Sequence, residues 1–294
     1  MPATGRQRSL IIPREHGAWG ILLIPLFTGA CVGLLTGGDP RPLLPLTIAA
    51  LALFWLRTPV ESWIGSAPIR ARTAAELRLV RAAVAALSLV STSALTWLFS
   101  NWQNRDLIWI GCAAAAAFVL QGVLKQVWRP ARTAAQMIGS AGLTSTAPAA
   151  WYVVTGRIDA TAWALWAANL LFAINQIHFV QLRIHAAQVK TRTQKLSMGR
   201  GFLIGQLIEV ALLVAGCIAH LFSWYAALAF APILYRGFAW FAADAGPLAV
   251  HSLGKSELAY ACVFGVLLVV GPAYYYRICP RKPPPSLKSI SSPP

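Results

Sequence analysis

The stretch GAWGILLIPLFTGACVGLL, from Gly17 to Leu35, is 19 residues long and contains no charged side chain. An α-helix needs about 20 predominantly apolar residues to cross the hydrocarbon core of a bilayer. Apolar runs of similar length, bounded by charged residues, recur along the whole chain. The nine runs cover residues 17–35, 42–59, 80–99, 107–124, 134–155, 160–182, 201–220, 222–243 and 258–276. The sequence therefore predicts an all-α polytopic membrane protein with about nine transmembrane helices.

The composition excludes an ordinary soluble protein. Of the 294 residues, 57% are hydrophobic and only 12% are charged, whereas soluble domains carry about 25% charged residues. We expect a single transmembrane domain over residues 17–278, preceded by a cytoplasmic segment at 1–16. Residues 279–294 are rich in Pro and Ser, and we expect this tail to be disordered.

The basic residues have an asymmetric distribution that predicts the orientation. In a soluble chain a net charge of +16 would indicate nucleic-acid binding, but here most basic residues fall in alternate short loops. The other loops contain only Arg41, Arg105 and Arg157, each close to an aspartate. The positive-inside rule places the N-terminus and the basic loops in the cytoplasm and leaves no nucleic-acid partner to expect. An odd number of helices then puts the basic tail outside.

Two short segments resemble each other. The sequence Ala71-Arg72-Thr73-Ala74-Ala75-Glu76 recurs, with Gln in place of Glu, at residues 131–136. Both copies fit a capping box, in which a Thr hydroxyl and a Glu or Gln side chain satisfy backbone donors at a helix start. The similarity fits a repeat of helical hairpins, and it also fits two helices that are capped alike by chance.

Polar groups gather at the inner ends of the first two predicted helices. The motif PREHGAW, residues 13–19, brings Glu15 and His16 to the start of helix one. At the end of helix two, Arg57 and Glu61 are four residues apart, but we expect Pro59 to interrupt the helix between them. These groups either bind a polar ligand or lie separately among the lipid headgroups.

Further polar groups lie inside helices six to eight. Asn175, His178, Gln181 and His185 share one face of helix six, beside Arg183. In helix seven Glu209 lies deep in an apolar run, and Arg236 of helix eight is its predicted ion-pair partner. The pair is interpreted either as structural or as part of a proton relay.

Four segments carry a resemblance to a known family. PREHGAWG, RTP (57–59), FVQLR (179–183) and LGKSELAYACVF (253–264) resemble the YwiC-like family of bacterial membrane proteins, over about Ile12 to Tyr276. This resemblance implies a multi-pass protein of the bacterial inner (cytoplasmic) membrane.

The nine-helix plan also resembles the bundle of the UbiA-type intramembrane prenyltransferases. The UbiA-like bundle implies two Asp-rich motifs at the inner ends of helices two and six, which hold Mg²⁺ and a prenyl diphosphate. The corresponding segments here, 57–61 and 175–183, contain no Asp. We therefore expect no metal site of that type, the cofactor stays unknown, and whether the protein is an enzyme stays open.

Three hypotheses for the function follow. In the first, one inward-open cavity binds an anionic amphiphile, a membrane lipid or an isoprenoid-like molecule, and His178 is the candidate for proton transfer because imidazole has an ordinary pKa of about 6.5. The predicted cavity residues are Glu15, His16, Arg57, Glu61, Asn175, His178 and Arg183, flanked by Trp55 and Phe179. The second hypothesis is a secondary transporter of a small anion. The third is a non-catalytic assembly or scaffold subunit with a partner in a membrane complex.

Overall fold

The fold is entirely helical over the residues that the computed structural model describes, which are 3–13, 16–65, 69–102, 105–127, 132–187, 189, 191–243 and 250–278. Twelve helices follow one another in this part of the chain, and no strand occurs among these residues. They are α1 (Ala3–Ile11), α2 (His16–Leu35), α3 (Leu43–Ile64), α4 (Ala74–Trp102), α5 (Leu107–Val127), α6 (Arg132–Thr144), α7 (Thr146–Thr155), α8 (Ala160–His185), α9 (Arg192–Ile218), α10 (Trp224–Leu228), α11 (Ala231–Ala242) and α12 (Val250–Ile278). The expected tail at 279–294 lies outside the described residues.

Seven of these helices are long and apolar enough to cross a membrane: α2, α3, α4, α5, α8, α9 and α12. The prediction of an all-α polytopic membrane protein is thereby confirmed. The other two predicted segments, 134–155 and 222–243, are each divided into two shorter helices, α6–α7 and α10–α11. Each predicted segment thus corresponds to one long helix or to one divided pair.

Local chemistry accounts for both divisions. Around Ser145 three consecutive hydroxyl groups each donate a hydrogen bond to a backbone carbonyl oxygen three or four residues earlier; they belong to Thr144, Ser145 and Thr146. Such bonds bend a helix because they compete for its backbone acceptors. In the second pair Pro232 lies in the first turn of α11, a position that suits a residue without an N–H group. Apolar composition alone does not reveal either break.

The centre of the bundle is α2, which packs against α6, α7, α8 and α12. Its approach to α7 is close because glycines face the partner helix. A Cβ at Gly29 would collide with the backbone carbonyl oxygen of Ala147, and one at Gly33 would come within 3.0 Å of Val154 Cγ1. Membrane helices rely on such small residues, since lipid supplies no hydrophobic drive for their association.

Two hairpins flank this centre. Helices α3 and α4 pack along each other, and α5 packs along α6, whereas α4 and α5 touch only marginally although they are consecutive. The two hairpins are therefore separate layers. Leu98 of α4 and Leu107 of α5 share an apolar cluster with α7, and Phe54 of α3 and Phe118 of α5 share a second one.

The N-terminal helix α1 lies against α3 and α4. Trp55 Nε1 donates to the Ile11 carbonyl oxygen at 2.9 Å, and Arg6 Nε is 2.7 Å from Glu76 Oε1. Glu76 also closes the predicted capping box with Thr73, since each side chain bonds to the other's backbone N–H. The second predicted box is wrong. There α6 begins at Arg132, so Thr133 is already helical, and the Gln136 side chain accepts a bond from Gln181 instead.

The predicted outer loops are locally neutralised. Arg41 Nη2 lies 2.9 Å from Asp39 Oδ2, and Arg157 Nε lies 3.3 Å from Asp159 Oδ2. Hydrogen bonds from Arg41 hold the pKa of the Asp39 carboxyl below its ordinary value. These loops consequently carry little net positive charge, in keeping with the charge asymmetry seen in the sequence.

Candidate functional site

Four helices bring a chain of buried polar side chains together. Asn175 of α8, Glu209 of α9, Arg236 of α11 and Glu257 of α12 are all buried. Arg236 forms an ion pair with Glu257 through Nη1 and donates from Nη2 to Asn175 Oδ1 at 3.0 Å. Asn175 in turn donates from Nδ2 to Glu209 Oε2. We call these four residues the polar network.

Aromatic rings hold the guanidinium of the polar network. The Arg236 Cζ atom lies 4.1 Å from the ring centre of Phe179 and 5.1 Å from that of Tyr260. Rings at these distances attract a cation through their quadrupoles. Gln176 adds a bond from Nε2 to the backbone carbonyl oxygen of Glu257, at 3.0 Å. The position of Arg236 is thus fixed by α8 and α12 together.

The predicted ion pair between Glu209 and Arg236 is wrong in its partners. Arg236 pairs with Glu257, and Asn175 lies between it and Glu209. Glu257 was missed because it immediately precedes the predicted span 258–276, where a charge is unremarkable. The helix begins earlier, at Val250, which moves Glu257 into the bundle.

Several atoms in and beside the polar network have no hydrogen-bond partner among the described residues. They are Glu209 Oε1, Glu257 Oε1, Arg236 Nε, Gln176 Oε1 and both amide atoms of Gln206. An unpaired buried polar group costs about 1–3 kcal/mol, so native proteins seldom retain several of them without cause. The polar network can therefore form additional hydrogen bonds or bind an additional charged group.

His178 lies near the polar network and faces α9. Its ring makes a T-shaped contact with Phe202 at 5.3 Å, and its Nδ1 is 3.4 Å from where a Cβ on Gly205 would be. The structure gives it no hydrogen bond to α2 or α3 within the described residues. Arg183, one helical turn and a half further along α8, is half-buried and close enough to Glu257 to interact electrostatically.

Arg57 and Glu61 form a second polar site, on α3. Contrary to expectation, Pro59 does not interrupt the helix, which continues to Ile64 and ends at Gly65 with a φ of 84°. Pro59 removes one backbone hydrogen bond from the helix. Membrane helices tolerate such a loss when neighbouring groups bond to the freed carbonyl oxygen. Arg57 Nε therefore pairs with Glu61 Oε1 at 2.9 Å, one turn away.

Aromatic side chains surround this second site. The Arg57 Cζ atom is 5.4 Å from the ring centre of Phe118 on α5. Trp19 near the start of α2 packs edge-on against Phe54 and Trp55 of α3, with ring centres 4.8 and 6.5 Å apart. The beginning of α2 therefore lies beside the C-terminal half of α3.

The predicted cavity residues fall into two groups in the described contacts. Arg57 and Glu61 lie on α3, where Arg57 faces Phe118 of α5. The second group lies on α8 and interacts with α9, α11 or α12; it consists of Asn175, His178 and Arg183. No described hydrogen bond or ion pair joins the two groups. Glu15 lies outside the described residues, and so does the side chain of His16, whose backbone begins α2.

Comparison with known proteins bears on the first of these groups. Residues 12–151 match the YwiC-like protein family. The resemblance drawn from the sequence is thereby confirmed over this range. No curated protein and no solved structure matches the chain.

The YwiC-like region extends from just before α2 into α7. It includes the PREHGAW motif and the Arg57–Glu61 pair, whereas the polar network lies wholly after it. Within the described residues no three His, Cys, Asp or Glu side chains are grouped closely enough to hold a metal ion. Both sites provide charged pairs, and the polar network also provides amide hydrogen bonds.

Proposed function

We propose that the protein binds the anionic head of a membrane amphiphile at the inner half of α3, in the cytoplasmic membrane of a bacterial cell. The observation that carries the proposal is the setting of Arg57. Its side chain is only 13% exposed and lies inside an apolar helix, between Glu61 and the Phe118 ring. A charge at bilayer depth costs about 2.5–3.5 kcal/mol on insertion scales, so such residues generally serve a polar pathway or ligand.

The guanidinium suits a phosphate-like head. Its planar fork of donors matches the geometry of phosphate oxygens better than a lysine does. Glu61 accepts a hydrogen bond from Arg57 Nε and thereby orients the guanidinium group. His16 and Glu15, on the chain that enters α2, are the proposed additional contacts with the polar part of the head.

The apolar tail has a route between the two hairpins. Helices α4 and α5 pack at most marginally on each other, and Phe118 of α5 lies beside Arg57. We propose that an acyl or isoprenoid chain enters there from the bilayer. This arrangement also fits a UbiA-like bundle, although Arg57 and Glu61 stand where that bundle has an Asp-rich motif.

The charge at the same end of the bundle favours an anionic ligand. Arg70, Arg72, Arg78 and Arg81 precede or begin α4, next to the inner end of α3. Each basic residue near an anionic membrane surface contributes about 1 kcal/mol of attraction. With the N-terminus in the cytoplasm, this end faces the leaflet that attracts such residues.

Native mass spectrometry of the purified full chain tests the proposal with two probes, phosphatidylglycerol and farnesyl diphosphate. Each is compared with its uncharged counterpart, a diacylglycerol or farnesol. Arg57→Gln should weaken binding of the anionic probe roughly 10- to 100-fold, because a charge-assisted hydrogen bond contributes about 1.5–3 kcal/mol.

Arg78→Gln is the comparison variant: it removes the same charge from an exposed position on α4 and should weaken binding no more than roughly fivefold, which corresponds to the about 1 kcal/mol of surface attraction. Binding that responds equally to both substitutions would reduce the effect to general surface charge and contradict the site. Phosphatidylglycerol binding alone would assign a lipid, and farnesyl diphosphate binding alone would assign an isoprenoid.

Secondary transport is the second candidate, and the polar network favours it. Buried ionisable residues of this kind line ion and substrate pathways in many membrane proteins. Flux of a small anion such as phosphate into proteoliposomes would support transport. The scaffold hypothesis predicts neither bound amphiphile nor flux, so the same two measurements decide it.

A further inference from the structure

We propose that Glu209 binds one exchangeable proton inside the membrane, with Gln206 as its hydrogen-bond partner. This site goes beyond amphiphile binding and does not depend on it, because Arg57 and Phe118 lie on other helices. The inference rests on three features: Glu209 has no bonded cation among the described residues, Gln206 is buried, and few titratable groups surround the two.

The polar network holds two carboxyl groups and one guanidinium. Arg236 gives its ion pair to Glu257, and Arg183 also lies on the Glu257 side. Among the described residues Glu209 receives its hydrogen bond from the neutral amide of Asn175, and Arg236 acts on it electrostatically without bonding to it. Glu209 is 5% exposed and lies nine residues, or about 14 Å, before the end of α9. A carboxylate in this position lacks a bonded cation, and protonation removes its charge.

Gln206 supplies the partner that a protonated carboxyl needs. It is 1% exposed, and neither of its amide atoms has a hydrogen-bond partner among the described residues. It precedes Glu209 by three residues, so the two side chains share a face of α9 about 5–6 Å apart at Cβ. Its amide lies against Gly237, next to Arg236, where any Cβ would collide with it.

An amide can serve both protonation states of the carboxyl. The Oε1 atom of Gln206 accepts a bond from a protonated Glu209, and its Nε2 atom donates to an ionised one. The Oε1 atom of Glu209 has no other partner in the described part of the chain and is available in both states. Rotation of a single side chain therefore follows the gain or loss of the proton.

The helices packed on α9 present few other titratable groups to Glu209. From α8 the titratable group is His178, from α11 it is Arg236, and α12 reaches the site through Glu257. The short helix α10 has no charged residue, and its Tyr225 is exposed. His178 is half-buried and lies against Gly205, next to Gln206, which places it between Glu209 and the inner end of the bundle. It is the group through which a proton can exchange with the inner solution.

Infrared difference spectroscopy of the full chain in lipid, between buffers of about pH 6 and pH 10, tests the proposal, because exposed carboxyl groups have ordinary pKa values of about 4 and stay ionised across this range. The wild-type protein should show one carboxyl C=O band that disappears as the pH is raised, and Glu209→Gln should abolish that band. Glu76→Gln is the matched control and should leave it unchanged, since Glu76 is paired with Arg6 and a Gln can keep its capping box.

Gln206→Met provides a second, independent variant. Removal of the amide should retain the Glu209 band and move it to higher frequency, because the C=O and O–H groups lose their hydrogen bonds. A band that persists in Glu209→Gln, or one that does not move in Gln206→Met, overturns the proposal. If sodium chloride removes the band at fixed pH while choline chloride does not, the site takes a sodium ion and the proton assignment is wrong.

Discussion

At the scale of single residues, Arg236 should be the side chain whose loss costs most stability. Arg236→Met leaves Glu257 buried without its cation, and breaking a buried pair on one side costs about 3–5 kcal/mol. The free energy of unfolding, measured by denaturant titration in mixed micelles, should fall by that order. Arg78→Met, at an exposed position, should change it by less than about 0.5 kcal/mol.

The double variant Arg236→Met/Glu257→Met separates the charge from the packing. Replacing a buried pair by apolar residues of similar volume is often neutral, so the double variant should recover most of the stability lost by the single one. If the losses in the free energy of unfolding caused by the two single substitutions simply added in the double variant, the two side chains would contribute through packing and aromatic contacts and not through their ion pair.

His178 should control the rate of proton exchange, whereas Glu209 controls its extent. In a pH-jump experiment followed by the infrared band of Glu209, His178→Gln should slow the response and leave its final amplitude unchanged. The reason is that His178 lies beside Gly205, on the way to Glu209, and forms no hydrogen bond with the carboxyl. His185→Gln, at the exposed end of α8, is the matched control and should alter neither. A lower amplitude in His178→Gln would contradict a relay role.

The sequence reveals these residues better than it reveals their partners. Glu209 and Arg236 are conspicuous because an ionisable group inside an apolar run requires an explanation. Which carboxylate meets Arg236 depends on the rotation of four helices about their axes, and the sequence of one chain does not encode this in any local pattern. The prediction for Pro59 was wrong because a proline removes one backbone hydrogen bond of a membrane helix without having to end it.

At the scale of helices, apolar runs predict that a helix exists better than they predict where it begins and ends. The fourth helix, α4, begins at Ala74, six residues before its predicted start, because the capping box of Thr73 and Glu76 starts the helix there and the charge of Arg78 does not prevent its backbone from being helical. The divisions at Ser145 and before Ala231 were not predicted, since hydropathy continues unchanged across both. Only hydroxyl and proline chemistry marks them.

The packing of α2 on α7 gives a prediction at the same scale. Gly29→Ala should lower the free energy of unfolding by about 1–3 kcal/mol, because the added methyl group meets the backbone of Ala147, which cannot move aside as a side chain can. Gly111→Ala on α5 is the matched control, with nothing within 4 Å of the new Cβ. It should be neutral or stabilising by up to about 1 kcal/mol, from helix propensity alone. Equal effects would mean that α2 and α7 are not in close contact.

At the scale of the whole molecule, the resemblance of the sequence to a UbiA-like plan does not imply the chemistry of that group. Mg²⁺ prefers carboxylate oxygens, and neither 57–61 nor 175–183 contains an Asp. Incubation of the protein with farnesyl diphosphate, an aromatic acceptor and Mg²⁺ should therefore give no prenyl transfer. Turnover that stops on addition of a chelator would contradict this expectation and would indicate Glu15 and Glu61 as substitute ligands.

The orientation of the bundle follows from its charges and can be tested on either side of one helix. Arg157 and Arg192 are both exposed and flank α8, which is 26 residues long and long enough to cross once. Single cysteines at these positions, in a protein freed of its own cysteines, should thus react from opposite sides of the membrane. In the sequence the segment around Arg192 contains several basic residues and no acidic one, whereas Arg157 is paired with Asp159, so the positive-inside rule assigns position 192 to the cytoplasm. In intact spheroplasts an impermeant maleimide should label position 157 and reach position 192 only after permeabilisation. The reverse pattern would invert the bundle and turn the proposed amphiphile site towards the outer leaflet, while labelling of both positions from one side would show that α8 does not span the membrane.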